Sequence, residues 1–377
     1  MPVFITSDSI LHAWHKFYDC YLKELEGTKL IKKLSTICEQ LLDQVYKIKM
    51  NDKNKKILGD IEVMFMIPCI LTKLLRIPDT KQTELIFVED NNEKKKETQE
   101  NLVPTRDLEK KIELKYGNME ILNKCIMSII RNEDIITSFG DVEFKMIGTL
   151  FKPRGHYTEN LELKKYFMTF MWFTNLKICF KKDDENLTNK LILATIMTKL
   201  GESCLNNLVE FENFIQLLIG ETDGYTVSSF LQHINYINEK NNDLTGLIDR
   251  MSQDNDLVIL LASRMTKMSQ LTQFGDLTDN VSEYVFSILG KGLNIDNLII
   301  NKMVDNKLQE ENGNKSGYRK FPSIFDVIYS LFENDIALQF AKQRMEKIQV
   351  PQRDGFQYLN HLEKIREQSK EIKNNTI

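Results

Sequence analysis

The chain has 377 residues, of which 42% are hydrophobic and 28% charged, with a formal net charge of −4 at pH 7. That apolar fraction can build a sizeable core. The near balance of charge argues against a general nucleic-acid binder, which carries a strongly basic domain or stripe, and against a polyacidic disordered chain, so no nucleic acid is expected as a partner.

Val3, Phe4 and Ile5 read as an extended lead-in, and Thr6, Ser7 and Asp8 as candidate N-caps whose oxygens accept the free N–H groups of a first helical turn. In the helix that follows, Ile10, Leu11, Trp14, Phe17, Tyr18, Tyr21, Leu22 and Leu25 recur at three- and four-residue steps, and Gly27 suits the C′ position. Further helices are expected over Leu30 to Tyr46 and over Ile57 to Leu75, the latter bent or interrupted at Pro68. Glu84 to Val88 has the pattern of a short strand, and residues 89–101, which contain no apolar side chain, that of an exposed loop.

Helical periodicity returns at Leu108 to Lys115 and Met119 to Ile130. Val142, Phe144 and Met146 alternate as a strand does, and Gly148-Thr149 marks a turn. Helices are then expected at Leu161 to Phe180, Leu187 to Leu200, Asn207 to Ile219, Val227 to Asn238, Asp256 to Gln273, Asp279 to Leu289, Ile324 to Phe332 and Asp335 to Ile348. Residues 305–320 are polar and carry two glycines, which predicts a second exposed loop.

Length alone would allow two or three domains. No fixed-period repeat and no shift of composition divides the chain, so the expectation is a mainly α fold over residues 1–377: one large multi-helix domain with at most a few short strands. The longest apolar run, Val63 to Leu71, contains Pro68 and falls far short of the roughly 20 residues of a membrane span. The N-terminus lacks the basic and apolar regions of a secretory signal, which predicts a cytoplasmic location for the chain as given. Cys20, Cys38, Cys69, Cys125, Cys179 and Cys204 form no CxxC pair and sit mostly among apolar residues, as buried free thiols do, with disulfides the less favoured alternative.

Two segments are unusual in composition. One is Pro2-Val-Phe-Ile-Thr-Ser-Asp-Ser-Ile-Leu-His-Ala-Trp-His15, continuing through Phe17, Tyr18 and Asp19. The other is Phe151-Lys-Pro-Arg-Gly-His-Tyr-Thr158, followed by an aromatic helix through Tyr166, Phe167, Met171 and Trp172. With the looser stretches Phe214 to Gly224 and Phe321-Pro-Ser-Ile-Phe-Asp326, these resemble the family catalogued as domain of unknown function 3160. The resemblance implies a largely helical protein and supplies no substrate or reaction. Many bacterial members look exported or lipid-anchored, which implies export here if the natural start lies upstream. Members usually continue into a further segment bearing Trp, Arg and His, and any site completed by that segment would be incomplete here.

Two clusters could carry chemistry. Asp8, His12, His15 and Asp19 fall within about 60° on the side of the first helix opposite its apolar stripe. Imidazole and carboxylate at that spacing suit a shared divalent metal, with Asp8, His12 and His15 as ligands. Lys16, Lys23 and Glu26 on or near the same face favour plain solvation instead, and His-x-x-His alone is a weak signal. The second cluster is Lys152, Arg154 and His156, ahead of an expected helix start, where a phosphate, carboxylate or acidic side chain could dock. The favoured alternative pairs Arg154 with an acidic neighbour of the same chain.

The aromatic run Tyr166, Phe167, Phe170, Trp172 and Phe173 is expected in the core. There is no GxxxxGK[ST], HExxH, GxSxG or EF-hand loop, which sets nucleotide hydrolysis, zincin proteolysis and α/β-hydrolase chemistry aside. Two readings remain: a helical binding or scaffold protein for a ligand or protein still to be identified, using the Arg154 loop or an interhelical groove, and a metal-dependent enzyme, a hydrolase for example, with Asp8, His12 and His15 as ligands and His156 as a candidate acid or base. The first is favoured, because nothing positive specifies a reaction. The deciding geometry is whether His156 approaches His12.

Overall fold

The computed structural model describes residues 6–51, 54–73, 75–76, 102–103, 114–180, 184–220, 222, 224–238, 243–272, 284–290, 303, 323–348 and 358–376. Helices dominate these residues, and the strands form three two-stranded antiparallel pairs. The fold is mainly α. The expected lead-in at Val3–Ile5, the strand of Glu84 to Val88 and the loops 89–101 and 305–320 lie outside the described residues. So does the helix of Leu108 to Lys115, except Leu114 and Lys115, which are not helical. Contacts group the chain into two compact units, one of Met1–Ile215 with Gly224–Lys291 and the other of Gln216–Asp223 with Gly292–Ile377.

The first unit opens with α1, Ser7–Glu24, capped as expected by Thr6, whose Oγ1 accepts the Ser9 N–H at 3.2 Å. The helix does not stop at Gly27. It passes through one π-helical turn, Leu25–Leu30, directly into α2, Ile31–Lys47. Gly27 is therefore not a C′ glycine, and it does not take the left-handed φ that the position would require. The wider π turn brings Leu25 and Glu26, adjacent in sequence, both into the interior.

Next is α3, Lys55–Leu71, buried almost all round from Leu58 onward. It runs past Pro68 rather than breaking there. Proline offers no N–H to the carbonyl four residues back. The Trp172 indole supplies the missing donor, its Nε1–H reaching the Met64 carbonyl at 2.9 Å. This helix ends at Leu71 instead of Leu75, and Leu75–Arg76 (β1) pairs with Leu102–Val103 (β2).

After α4, Met119–Arg131, a hairpin pairs β3, Ile135–Phe139, with β4, Val142–Met146, around Gly140 and Asp141, both at positive φ. The alternation read at Val142, Phe144 and Met146 is a strand whose inward face is those three residues.

The aromatic helix α5 covers Leu161–Asn175 and buries Tyr166, Trp172 and Phe173 as expected, with Phe167 and Phe170 half-buried. It is shorter than its apolar pattern suggested. Ile178–Phe180 leaves the helix as β5 and pairs antiparallel with β6, Tyr284–Phe286. That second strand corrects the helix expected over Asp279 to Leu289. A pairing across about a hundred residues, which buries Ile178, Phe180 and Phe286, overrides local periodicity at both segments.

The unit continues with α6 (Leu187–Gly201), α7 (Leu205–Ile219, grouped with the second unit from Gln216 on), α8 (Val227–Ile237), α9 (Leu244–Gln253) and α10 (Asn255–Thr272). The sequence reading had no helix at α9. All six cysteines are free, and Cys38, Cys69, Cys125 and Cys204 are buried.

In the second unit, α11 (Ile324–Phe332) and α12 (Asp335–Ile348) occupy the spans read from the sequence, and α13 (Tyr358–Thr376) was not anticipated. They enclose Met303, Tyr329, Leu331, Leu362 and Ile365. The start of α11 is a reciprocal cap: Ser323 Oγ accepts the Asp326 N–H, and Asp326 Oδ2 accepts the Ser323 N–H at 2.7 Å. Among the described residues no helix is long and apolar enough to cross a membrane.

Candidate functional site

The second unusual segment, Phe151–Thr158, meets Asp19 of the first and, just beyond it, the π turn at Glu26. Gly155, at φ +57°, reverses the chain between Arg154, which is extended and exposed, and His156, which is half-buried. Only one 3₁₀ turn follows, Gly155–Thr158. The helix proper begins at Leu161 with its own cap, Asn160, whose Oδ1 accepts the Leu163 N–H at 2.9 Å.

At the centre of the junction is the Glu26 carboxylate, 6% exposed. His156 hydrogen-bonds one of its oxygens, Nε2 to Oε2 at 2.8 Å, and the Tyr157 hydroxyl donates to the other, Oε1, at 2.9 Å. With an ionised carboxylate as acceptor, the imidazole carries its proton on Nε2 in this bond. The other ring nitrogen, Nδ1, faces Asp19 Oδ1 at 3.8 Å, an electrostatic contact rather than a hydrogen bond. Lys23 closes the outer edge, its Nζ lying 2.7 Å from Asp19 and 2.6 Å from Glu159. The Tyr157 ring packs between the His156 ring, at 4.1 Å, and Phe167, at 4.8 Å.

Burial and partners push these groups in different directions. Burial raises the Glu26 carboxyl above the ordinary carboxylate range, opposed by the bonds from His156 and Tyr157. Burial and then the neighbouring Glu26 charge raise the Tyr157 phenol, which therefore stays a donor. The bond from Lys23 lowers Asp19, and Lys23 in turn is raised by Asp19 and Glu159.

The expected clusters divide under this geometry. Asp8, His12 and His15 are all exposed, and among the described residues no three His, Cys, Asp or Glu side chains converge as a metal-holding group. His156 does reach the first helix, but at Asp19 and Glu26. Among the described residues no hydrogen bond or ion pair joins it to His12 or His15. Lys152 and Arg154 are exposed. The Arg154 guanidinium donates to the Thr149 carbonyl at 3.4 Å, and neither cation has a carboxylate partner among the described residues, contrary to the internal pairing expected of Arg154.

Glu26 and Tyr157 are the site residues that sequence reasoning missed. Glu26 was grouped with the solvated face. Its position seven residues after Asp19 placed it on the right side of the helix, but the π turn that buries it leaves no mark in the sequence.

The Phe151–Thr158 segment is thus anchored on a buried carboxylate, Glu26, seven residues beyond Asp19. The chain belongs to the DUF3160 family. The model of this family, described as a protein of unknown function, matches residues 1–377. No curated protein and no solved structure matches the chain. Family membership identifies no ligand, so what this DUF3160 chain binds has to be argued from its own side chains.

Proposed function

We propose that this DUF3160 protein is a helical binding protein that takes an anionic ligand at the loop of Lys152 and Arg154. The observation that carries this reading is the contrast within one short loop. His156 and Tyr157 are anchored on a buried carboxylate, while Lys152 and Arg154 stand exposed and, among the described residues, without a carboxylate partner.

A guanidinium gives a carboxylate or phosphate two parallel donors, and a nearby ammonium adds a point charge. The anchoring matters because a cation on a fixed backbone loses less conformational freedom when it binds. In this reading His156 positions the loop and does not touch the ligand. Asp19, Glu26 and Glu159 are occupied by His156, Tyr157 and Lys23, so their charge is partly neutralised where an anion would approach.

The test is a thermal-shift titration with phosphate, sulfate and a uronic acid on wild type, Arg154→Ala and the exposed-lysine control Lys124→Ala. A saturable stabilisation by at least one anion is expected in wild type and Lys124→Ala, and its loss in Arg154→Ala. Equal responses in all three proteins would remove Arg154 as a ligand.

A further inference from the structure

Among the described residues nothing covers the apolar stripe of α1. Ile10, Leu11, Trp14 and Phe17 are 60% to 65% exposed and Tyr21 is 45% exposed, and no residue of the helix is buried. The rings form a continuous ridge, with Trp14 and Phe17 centroids 6.0 Å apart and Phe17 and Tyr21 stacked at 6.2 Å. What attaches α1 to its own unit is the opposite side of its C-terminal half, where Asp19 and Lys23 meet His156 and Glu159.

We propose that this face is a self-association surface, on which α1 of a second copy of this chain lies antiparallel. Three observations favour that occupant. The seam Ile10, Trp14, Phe17, Tyr21 has the 4–3–4 spacing of interhelical knobs and falls within about 60° of arc. The spacing is palindromic about a point between His15 and Lys16. A two-fold axis there sets Ile10 opposite Tyr21 of the second copy and Trp14 opposite its Phe17, each contact occurring twice, as an isologous interface requires.

Second, Ala13 and Cys20, beside the seam on one side, are small and uncharged, so two helices can approach closely there, and the charged Glu24 falls at the end of the helix, level with Ser7 of the second copy. The antiparallel order also aligns the helix dipoles favourably and sends the two bodies, each attached at the C-terminal half of its helix, to opposite ends.

Third, the area is adequate. At roughly 200 Å² for each large side chain, the exposed fractions amount to about 600 Å² per copy, toward the ~800 Å² per partner of a standard-size interface. The mixed charge of the helix, with Asp8, Asp19 and Glu24 against Lys16 and Lys23, lacks the cationic polar face of helices that lie on anionic membranes.

Sedimentation velocity at about 100 µM, above the micromolar Kd that small interfaces reach, tests the proposal on wild type, Trp14→Glu and Phe17→Glu. Both side chains are exposed, so both variants should keep the wild-type circular dichroism spectrum and melting temperature. The expected result is a dimer in wild type and a monomer in each variant. Cys20 is the exposed cysteine of the six, and the antiparallel order brings it beside residue 13 of the second copy. Ala13→Cys should therefore give a disulfide-linked dimer with oxidised glutathione, lost when Cys20→Ser is added. A monomeric wild type overturns the proposal, and one that co-sediments with zwitterionic lipid vesicles would assign the face to a bilayer instead. A dimer unaffected by either glutamate would place the interface elsewhere and overturn it equally.

Discussion

At the scale of single residues, the Glu26 carboxylate and the Gly155 backbone decide how the Arg154 loop is held. Glu26 is costly to bury, and its two bonds from His156 and Tyr157 offset that cost. Removing the Tyr157 hydroxyl leaves Oε1 without its donor in a desolvated place. Tyr157→Phe should destabilise the protein by about 1–3 kcal/mol in chemical denaturation. Gly155 has open space where a Cβ would sit, but its φ of +57° is unfavourable for any side chain. Gly155→Ala should cost about 1–2 kcal/mol through backbone conformation alone and should weaken anion binding, since the turn that separates Arg154 from His156 is lost. A Gly155→Ala protein as stable as wild type would show that the turn can be made another way.

Among the elements, α3 and α5 are joined by an exchange of donors. Pro68 leaves the Met64 carbonyl without an intrahelical partner, and the Trp172 indole, 108 residues away, completes it. Pro68→Ala restores an N–H at that point, so the two residues should be coupled in a double-mutant cycle. Trp172→Phe alone should cost about 2–4 kcal/mol, from the lost bond and the lost ring volume. In the Pro68→Ala background the same change should cost about 1 kcal/mol less. Strict additivity would contradict the exchange.

A second element contact sets a pH dependence. Glu212 on α7 accepts from Ser228 at the start of α8 at 2.8 Å, while its other oxygen is buried without a partner among the described residues. Burial raises its carboxyl above the ordinary 4.5, against the bonds from Ser228 and Thr226. The folded protein therefore holds this proton more tightly than the unfolded chain does. The ionised form costs stability that is absent below the ordinary value and fully present above the raised one. Glu212→Gln removes that cost. Its melting temperature relative to wild type should rise as pH increases from about 4 toward 8. A difference that stays constant with pH would mean that Glu212 is not the titrating group.

Over the whole molecule, the elements legible in the sequence are those whose burial follows their own periodicity. The segments of α4, α11 and α12 carry caps and an apolar pattern within a few residues, and the structure places them almost where the pattern does. What failed depends on distant partners. Ile178–Phe180 and Tyr284–Phe286 are strands only because they find each other. Glu62, fully buried, holds the backbone N–H groups of Lys115, Tyr116 and Gly117 at 2.6–2.7 Å, an anchor that neither segment announces.

The site shows the same division. Lys152, Arg154 and His156 could be singled out because cations around Pro153 and Gly155 are unusual. That His156 would turn inward to Glu26 while Arg154 stayed outside depends on a π turn invisible in the sequence. The stripe on α1 was equally clear, and only the structure shows that its own unit leaves it uncovered.

The central claim is that a loop pinned by Glu26 presents Arg154 to an anion. Calorimetric titration of wild type, Arg154→Ala and Glu26→Gln with the anion that gives the largest thermal shift tests both halves of it. A saturable isotherm is expected in wild type. Arg154→Ala, which removes a charged contact, and Glu26→Gln, which releases the loop but leaves every cation in place, should each bind about tenfold or more weakly. Affinity unchanged in Glu26→Gln would contradict the positioning role, and no binding by wild type to any of the three anions would contradict the site itself.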